Sequence, residues 1–233
     1  MCPKHLECIK NAVKVKLIFT GENKAHYLSQ WIQYVINKLE LLNRSWFLFL
    51  NAAPGSSAGL IAFATICAEY TLYVIPLTLP GQWFLGGKNG HQRALFSLIT
   101  ILTALTLGFL CTTLWFQPRS FMVPLGHTWI YHAPETSFPS DHATLFFSAG
   151  LSLLLAGSRI SGGLILFLSL FVAWSRIFLG VHFPLDMAGA ALVSVLACLL
   201  SRLMWPYVNE KLTSFCEKIS IRLFSWLPTS FTP

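Results

Sequence analysis

Apolar residues gather in five long stretches separated by short polar segments. A helix that crosses a bilayer needs about 20 mostly apolar residues, which makes these stretches candidate spans. The first runs from about Gly59 to Leu85 and ends at Gly86, Gly87 and Lys88. The others run from Ala94 to Phe116, Ala143 to Gly157, Gly162 to Leu179, and Pro184 to about Trp205. The third is short, but it gains length if its helix starts at Ser140, an N-cap residue type directly after Pro139. Pro184 suits a first helical turn, where its missing N–H needs no partner.

Ahead of these stretches, Leu28, Trp31, Ile32, Val35, Ile36, Leu39 and Leu42 recur at helical spacing against Gln33, Asn37, Lys38 and Glu40. That pattern predicts an amphipathic helix on a membrane surface or an imperfect sixth span continuing through Trp46 to Leu50. The expected organisation is a basic tail with an interfacial helix over residues 1–50, a transmembrane domain over 51–205, and a cytoplasmic interfacial tail over 206–233. The fold class is all-α, a polytopic membrane bundle with five or six transmembrane helices.

Composition supports this. Of 233 residues, 55% are hydrophobic and 11% charged, against about 25% charged in a soluble domain. The net charge of +7 then matters through its position, and nucleic acid is the weaker partner for it. No charged n-region with a short apolar core and cleavage site opens the chain, so no cleavable signal peptide is expected. Cys2, Cys8, Cys67, Cys111, Cys198 and Cys216 form no CxxC pair, and neither a disulfide framework nor a zinc site is expected.

Lys and Arg beside spans stay in the cytoplasm. Lys88, His91 and Arg93, then Arg159, then Arg202, Lys211, Lys218 and Arg222 mark one set of span ends as cytoplasmic. The loop from Gln117 to Asp141 and the turn from Arg176 to Asp186 therefore face outward, although the lysines before Arg44 run against this scheme.

Nearly every unusual polar residue collects on that outward face: Arg119; Ser140, Asp141 and His142; Ser175 and Arg176; His182 and Asp186. Phosphoryl transfer spreads charge over three equatorial oxygens, and preorganised donors aimed at them supply most of the stabilisation. Arg119 and Arg176 offer planar, permanently charged forks. Ser140, with the backbone N–H groups behind it, makes a helix-start anion site. His182 can attack phosphorus if neutral, Asp186 lies about one helical turn on and can orient it, and His142 can protonate the leaving oxygen.

These residues resemble the type 2 phosphatidic acid phosphatase superfamily, whose motifs read Lys-x6-Arg-Pro, Pro-Ser-Gly-His and Ser-Arg-x5-His-x3-Asp. Ser175, Arg176, His182 and Asp186 match the third completely. Pro139, Ser140 and His142 match the second, with Asp141 in place of Gly, and Arg119 matches the Arg of the first. Thr112 stands at the Lys position and Ser120 replaces Pro. The resemblance implies His182 as nucleophile, Asp186 as its partner, His142 as acid, and Arg119, Ser140 and Arg176 as phosphate clamp. Within the superfamily, Ser-Phe-Pro-Ser-Asp-His-Ala and Gly-Val-His-Phe-Pro-Leu-Asp are similar to the bacitracin-resistance type of undecaprenyl-diphosphate phosphatase. That branch implies metal-free hydrolysis of undecaprenyl diphosphate in the plasma membrane, without a cofactor, with a lipid phosphotransferase or a phosphatidylglycerophosphate or phosphatidate phosphatase as alternatives.

Asp141 is read either as a first-turn carboxylate favoured by the helix dipole or as an outer residue of the phosphate site. Glu69, inside the first span, is an accessory residue or a structural partner for a buried donor. His127 and His132 read as ordinary loop residues, since no further ligands stand at metal spacing. Trp129 and Tyr131 read first as an aromatic belt and second as a wall for the lipid chain.

Overall fold

The computed structural model describes residues 21–224, with side chains from His26 onward. The first helix, α1, is Gly21–Leu50. Its residues up to Leu42 belong to one unit of the chain. There Leu28, Trp31, Ile32 and Ile36 are exposed, and Gln33 Nε2 donates to Asn37 Oδ1 at 3.0 Å.

The second unit begins at Asn43 and holds the helix bundle. Its first rod comprises α2 (Ala58–Thr65), a π-helical turn over Ile66–Tyr70, a 3₁₀ turn over Thr71–Tyr73, and α3 (Val74–Leu85). The irregularity has chemical causes. Pro76 cannot donate to the Leu72 carbonyl, and the Thr65, Thr71 and Thr78 hydroxyls donate back to the carbonyls four residues earlier, a bond that bends helices. A tight turn leads into α4 (Gly87–Leu114). Only glycine fits at Gly90, where a Cβ would fall 2.0 Å from the Gln82 carbonyl oxygen. Then come α5 (Asp141–Leu155), α6 (Arg159–Phe178) and α7 (Pro184–Phe224).

Four of these rods are long and apolar enough to cross a membrane: Ala58–Leu85, Gly87–Leu114, Arg159–Phe178 and Pro184–Phe224, with α5 a shorter apolar helix. Large apolar side chains such as Leu102, Phe109, Phe167, Leu192 and Leu203 are exposed, as expected where the solvent is hydrocarbon. The helical expectation therefore holds, with shifted ends. α4 starts seven residues before the expected Ala94, and α7 runs on past the expected Trp205. Beyond Pro206 it is docked by Glu217, whose carboxylate lies 2.7 Å from His91 Nδ1, and by Ser220, which accepts from Trp83 Nε1 at 3.1 Å.

The short helix α5 is the centre of the bundle, packing on α4, α6 and α7. Phe146, Ala149 and Leu153 on α5 meet Ile101 of α4 and Ile165 and Val172 of α6 in one buried cluster. Ser194 of α7 donates to the Thr144 carbonyl at 3.1 Å. Glycine sets the α5–α6 spacing: a Cβ on Gly162 would lie 2.6 Å from Leu154 N and 2.9 Å from Gly150 O. Small residues that let helix backbones approach are the usual device where lipid supplies no hydrophobic drive.

This crossing yields a paired test. Gly162→Ala forces backbone apart and is expected to destabilise by about 1–3 kcal/mol. Gly163→Ala, with nothing within 4 Å of its new Cβ, gains helix propensity of about 1 kcal/mol. Thermal unfolding in one detergent should move down for the first and up for the second; equal shifts would contradict a glycine-set crossing.

Candidate active site

All three polar clusters meet at one end of the bundle. The turn Leu179–Phe183 joins α6 to α7 and carries His182. It is clamped from the loop between α4 and α5: Ser120 Oγ donates to Gly180 O at 2.7 Å, Thr128 Oγ1 to the same oxygen at 3.2 Å, and Trp129 N to Leu179 O at 3.0 Å. Gly180 has φ +76°, and a Cβ there would fall 2.1 Å from His127 O, so the approach requires glycine. Asn51 staples the same region, donating to Phe178 O at 3.0 Å and to His127 O at 2.8 Å while accepting from His127 N at 2.7 Å.

His182 is 2% exposed. Its Nδ1 lies 3.2 Å from Asp186 Oδ2, the one-turn relation expected from their spacing. Arg119 Nη1 lies 3.0 Å from Nε2 on the other side of the ring. A guanidinium only donates, so Nε2 is the lone-pair nitrogen and Nδ1 carries the proton toward Asp186. Burial pushes the His182 pKa down to about 4, against the opposing hydrogen bond and charge of Asp186. The ring is neutral at pH 7.

Asp186 Oδ2 accepts from three groups: Nδ1 of His182, the Phe183 N–H at 2.8 Å, and the hydroxyl of Ser137 in a short contact. Ser137 Oγ also lies 3.3 Å from His182 Nδ1. Ser137 is fully buried and carries no local sequence signal, because its partners come from a turn 45 or more residues away.

Ser140 caps α5 without a side-chain cap bond, and its N–H reaches the Asp186 carbonyl at 3.4 Å, which ties the start of α5 to the start of α7. Its hydroxyl is buried without a hydrogen-bond partner among the described residues, as are Arg119 Nε and Arg176 Nε and Nη2. Four unpartnered polar atoms, three of them on guanidinium groups, are the feature an anion would complete. His142 is half-buried, and its charge couples with Arg176 and His182. Burial lowers the Arg119 pKa from its ordinary value, opposed by Glu135, Asp186 and Asp141.

Asp141 is exposed in the first turn of α5 and couples electrostatically with Arg119 and Arg176. Glu69 lies in the π-helical turn, exposed, and acts on Arg176. His132, expected to be an ordinary loop residue, lies with its ring 6.4 Å from that of His182, and burial and Arg119 lower its pKa. His127 packs on Trp129 at 4.6 Å, and Trp129 Nε1 donates to Ala52 O at 2.9 Å. Tyr131 is 93% exposed. Thr112 turns its hydroxyl back to Phe109 O. Among the described residues no three His, Cys, Asp or Glu side chains group as metal ligands.

Comparison with known proteins agrees with this geometry. The chain is 34% identical over 193 residues to YbjG of Escherichia coli (strain K12), which carries a provisional undecaprenyl-diphosphatase name; 83% of this chain and 94% of that protein are covered. It is 29% identical over 172 residues to undecaprenyl-diphosphatase BcrC of Bacillus subtilis (strain 168), covering 72% and 89%. In fold it is similar to Aquifex aeolicus LpxE, with TM-score 0.55, 22% identity, and coverage of 69% of this chain and 94% of that one. A transmembrane PAP2 type phosphatidylglycerolphosphate phosphatase from Bacillus subtilis aligns with TM-score 0.52, 16% identity, and coverage of 78% and 97%. The PAP2 superfamily pattern matches residues 92–210, which hold the clustered residues above except Asn51 and Glu69, and the chain is a membrane phosphatase of the PAP2 superfamily.

Proposed function

We propose that this protein hydrolyses undecaprenyl diphosphate to undecaprenyl phosphate and phosphate through a phosphohistidine, without a metal. The observation that carries the reading is the group of four buried, unpartnered polar atoms on Arg119, Arg176 and Ser140 around a neutral imidazole. The names of the relatives supply the lipid.

In the proposed reaction the terminal phosphate lies against Arg119, Arg176 and Ser140. Nε2 of His182 attacks phosphorus, and the bond to the bridging oxygen breaks. His142, which burial and the charge of Arg176 hold neutral in the free protein, takes up a proton as the anionic substrate offsets that charge and gives it to the bridging oxygen, and undecaprenyl phosphate leaves. Asp186 holds the Nδ1 proton and stabilises the imidazolium form of the phosphorylated ring. Water then attacks phosphorus with His142 taking its proton, the P–N bond breaks, and phosphate leaves. Arg119, which sits on Nε2 in the free protein, moves its donor to a phosphate oxygen when substrate enters. Asp141 and Glu69 are exposed, and their charges act on Arg176, that of Asp141 on Arg119 as well. Ser137 is a positioning residue that acts on His182 through Asp186. Release of the lipid monophosphate would support carrier recycling and bacitracin resistance, and the positions of the loop lysines and arginines support a site on the outer face of the plasma membrane.

Three measurements test this. Purified protein with a chelator present should release phosphate from undecaprenyl diphosphate, and His182→Ala should lose on the order of 10³-fold or more; equal release by both would end the nucleophile assignment. Ser137→Ala should reduce kcat/KM about 10- to 100-fold through misplacement of the ring and also change its pH profile. The sign follows from the contacts. A His pKa held down at about 4 keeps the nucleophile neutral until the pH falls that far, so its acidic limb lies well below 6.5. Without the Ser137 hydroxyl, the Asp186 carboxylate stabilises the imidazolium more strongly, and the limb moves up toward 6.5. Ionisation of the substrate is common to both proteins and cancels in the comparison; an unmoved limb would leave Ser137 a purely structural role. Finally, in a cysteine-free background, Tyr131→Cys should react with an impermeant maleimide in intact cells and Lys88→Cys should not; the reverse pattern would invert the topology.

A further inference from the structure

At the end of the bundle away from the candidate site, α7 passes through Pro206. Proline has no N–H for the Arg202 carbonyl, and its ring presses on that carbonyl. A cavity of about 520 Å³ opens beside this break, bounded by the first turns of α4, the end of α5 and the middle of α7. Arg93 lies on α4 fifteen residues before Gly108, which packs near Pro139 at the active-site end. At a rise of about 1.5 Å per residue the two levels are about 22 Å apart.

Arg93 and Arg202 both line this cavity, Asn89 and Gln92 add amides, and among the described residues no acidic side chain lines it. Arg93 Nε is held on the Ala156 carbonyl at 3.3 Å, which fixes the side chain while its terminal nitrogens keep their donors. Phe96 and Trp205 pack edge to face at 5.3 Å and give the cavity an apolar wall. Two like charges that share one cavity repel, and a planar guanidinium fork matches phosphate oxygens with two hydrogen bonds. Phe96, Leu155, Trp205 and Pro206 make the rest of the wall apolar, which suits the junction of a headgroup with its hydrocarbon chains better than a free hydrated ion. Basic pockets between transmembrane helices are where anionic headgroups bind.

We propose that this cavity binds the phosphate-bearing headgroup of an anionic lipid in the leaflet opposite the candidate active site, with Arg93 and Arg202 as its phosphate ligands. The site is independent of the hydrolytic reading, since no residue of one belongs to the other.

The test is thermal unfolding of the full chain in nanodiscs of phosphatidylcholine, with and without phosphatidylglycerol, and in detergent with inorganic phosphate. Phosphatidylglycerol should raise the Tm by about 2–4 °C. The Arg93→Gln, Arg202→Gln double variant should lose that rise while phosphate release from undecaprenyl diphosphate stays as in the parent. Lys88→Gln, outside the cavity, should keep the rise. Arg202→Gln alone removes only an exposed side chain and should lose at least half of the rise, which keeps the test open if the double variant folds poorly. A rise retained in both arginine variants, or lost equally in Lys88→Gln, would overturn the site. The same rise with inorganic phosphate in detergent would overturn the lipid and leave a free-anion site.

Discussion

Arg119 and Arg176 are 4% and 2% exposed, and taking a guanidinium out of water without a close partner costs several kcal/mol. The carboxylates that act on them do so at a distance: Glu135, Asp186 and Asp141 on Arg119, and Glu69 and Asp141 on Arg176. The charge is thus partly offset but not cancelled by contact. A helix bundle packed around α5 holds the two forks in that state, and their field, added to burial, keeps His182 neutral. One electrostatic condition thereby has two results: it leaves guanidinium donors without partners and leaves Nε2 with a lone pair.

The second requirement is geometric. His182 sits in a turn, and turns move unless something holds them. Here the hold is non-local. Ser120 and Thr128 bond the Gly180 carbonyl, Trp129 bonds the Leu179 carbonyl, and Asn51 bonds Phe178. The loop between α4 and α5 therefore acts as a clamp over the α6–α7 turn as well as a source of Arg119 and Ser137. Asp186 then fixes the ring by accepting from Ser137, Phe183 and His182 through one oxygen. Activity in such a site rests on a shell that is rigid before substrate arrives.

These two requirements explain what could be read in advance. The rods were legible because hydrocarbon demands long apolar helices. His182 with Asp186, and Ser140 with His142, were legible because their relation is set within one turn of chain. Ser137, Asn51 and His132 were not, since their partners lie 45 or more residues away or, for His132, across the site. A serine, an asparagine and a loop histidine carry no local signal of such contacts. The continuation of α7 beyond the expected span end at about Trp205 also rests on non-local contacts. Pro206 removes one backbone donor inside the helix, and beyond it Glu217 and Ser220 dock the helix on His91 and Trp83.

The departures from the family pattern also acquire a physical sense. Where the family has proline after the first-motif arginine, Ser120 uses its hydroxyl to hold Gly180 O at 2.7 Å, so a stiff residue is exchanged for a tether to the turn that carries His182. Where the family has lysine, Thr112 spends its hydroxyl on its own helix at Phe109 O and adds no charge. The fixed positive field is then concentrated on two arginines, each held by a different segment, one in the clamp loop and one in the last turn of α6. Loop and helix must therefore be in register for both forks to stand at one site, and the hydroxyl at Ser120 supplies a bond that helps set that register. The lost charge at Thr112 and the gained bond at Ser120 are in this sense coupled: with fewer cations, the placement of each one matters more.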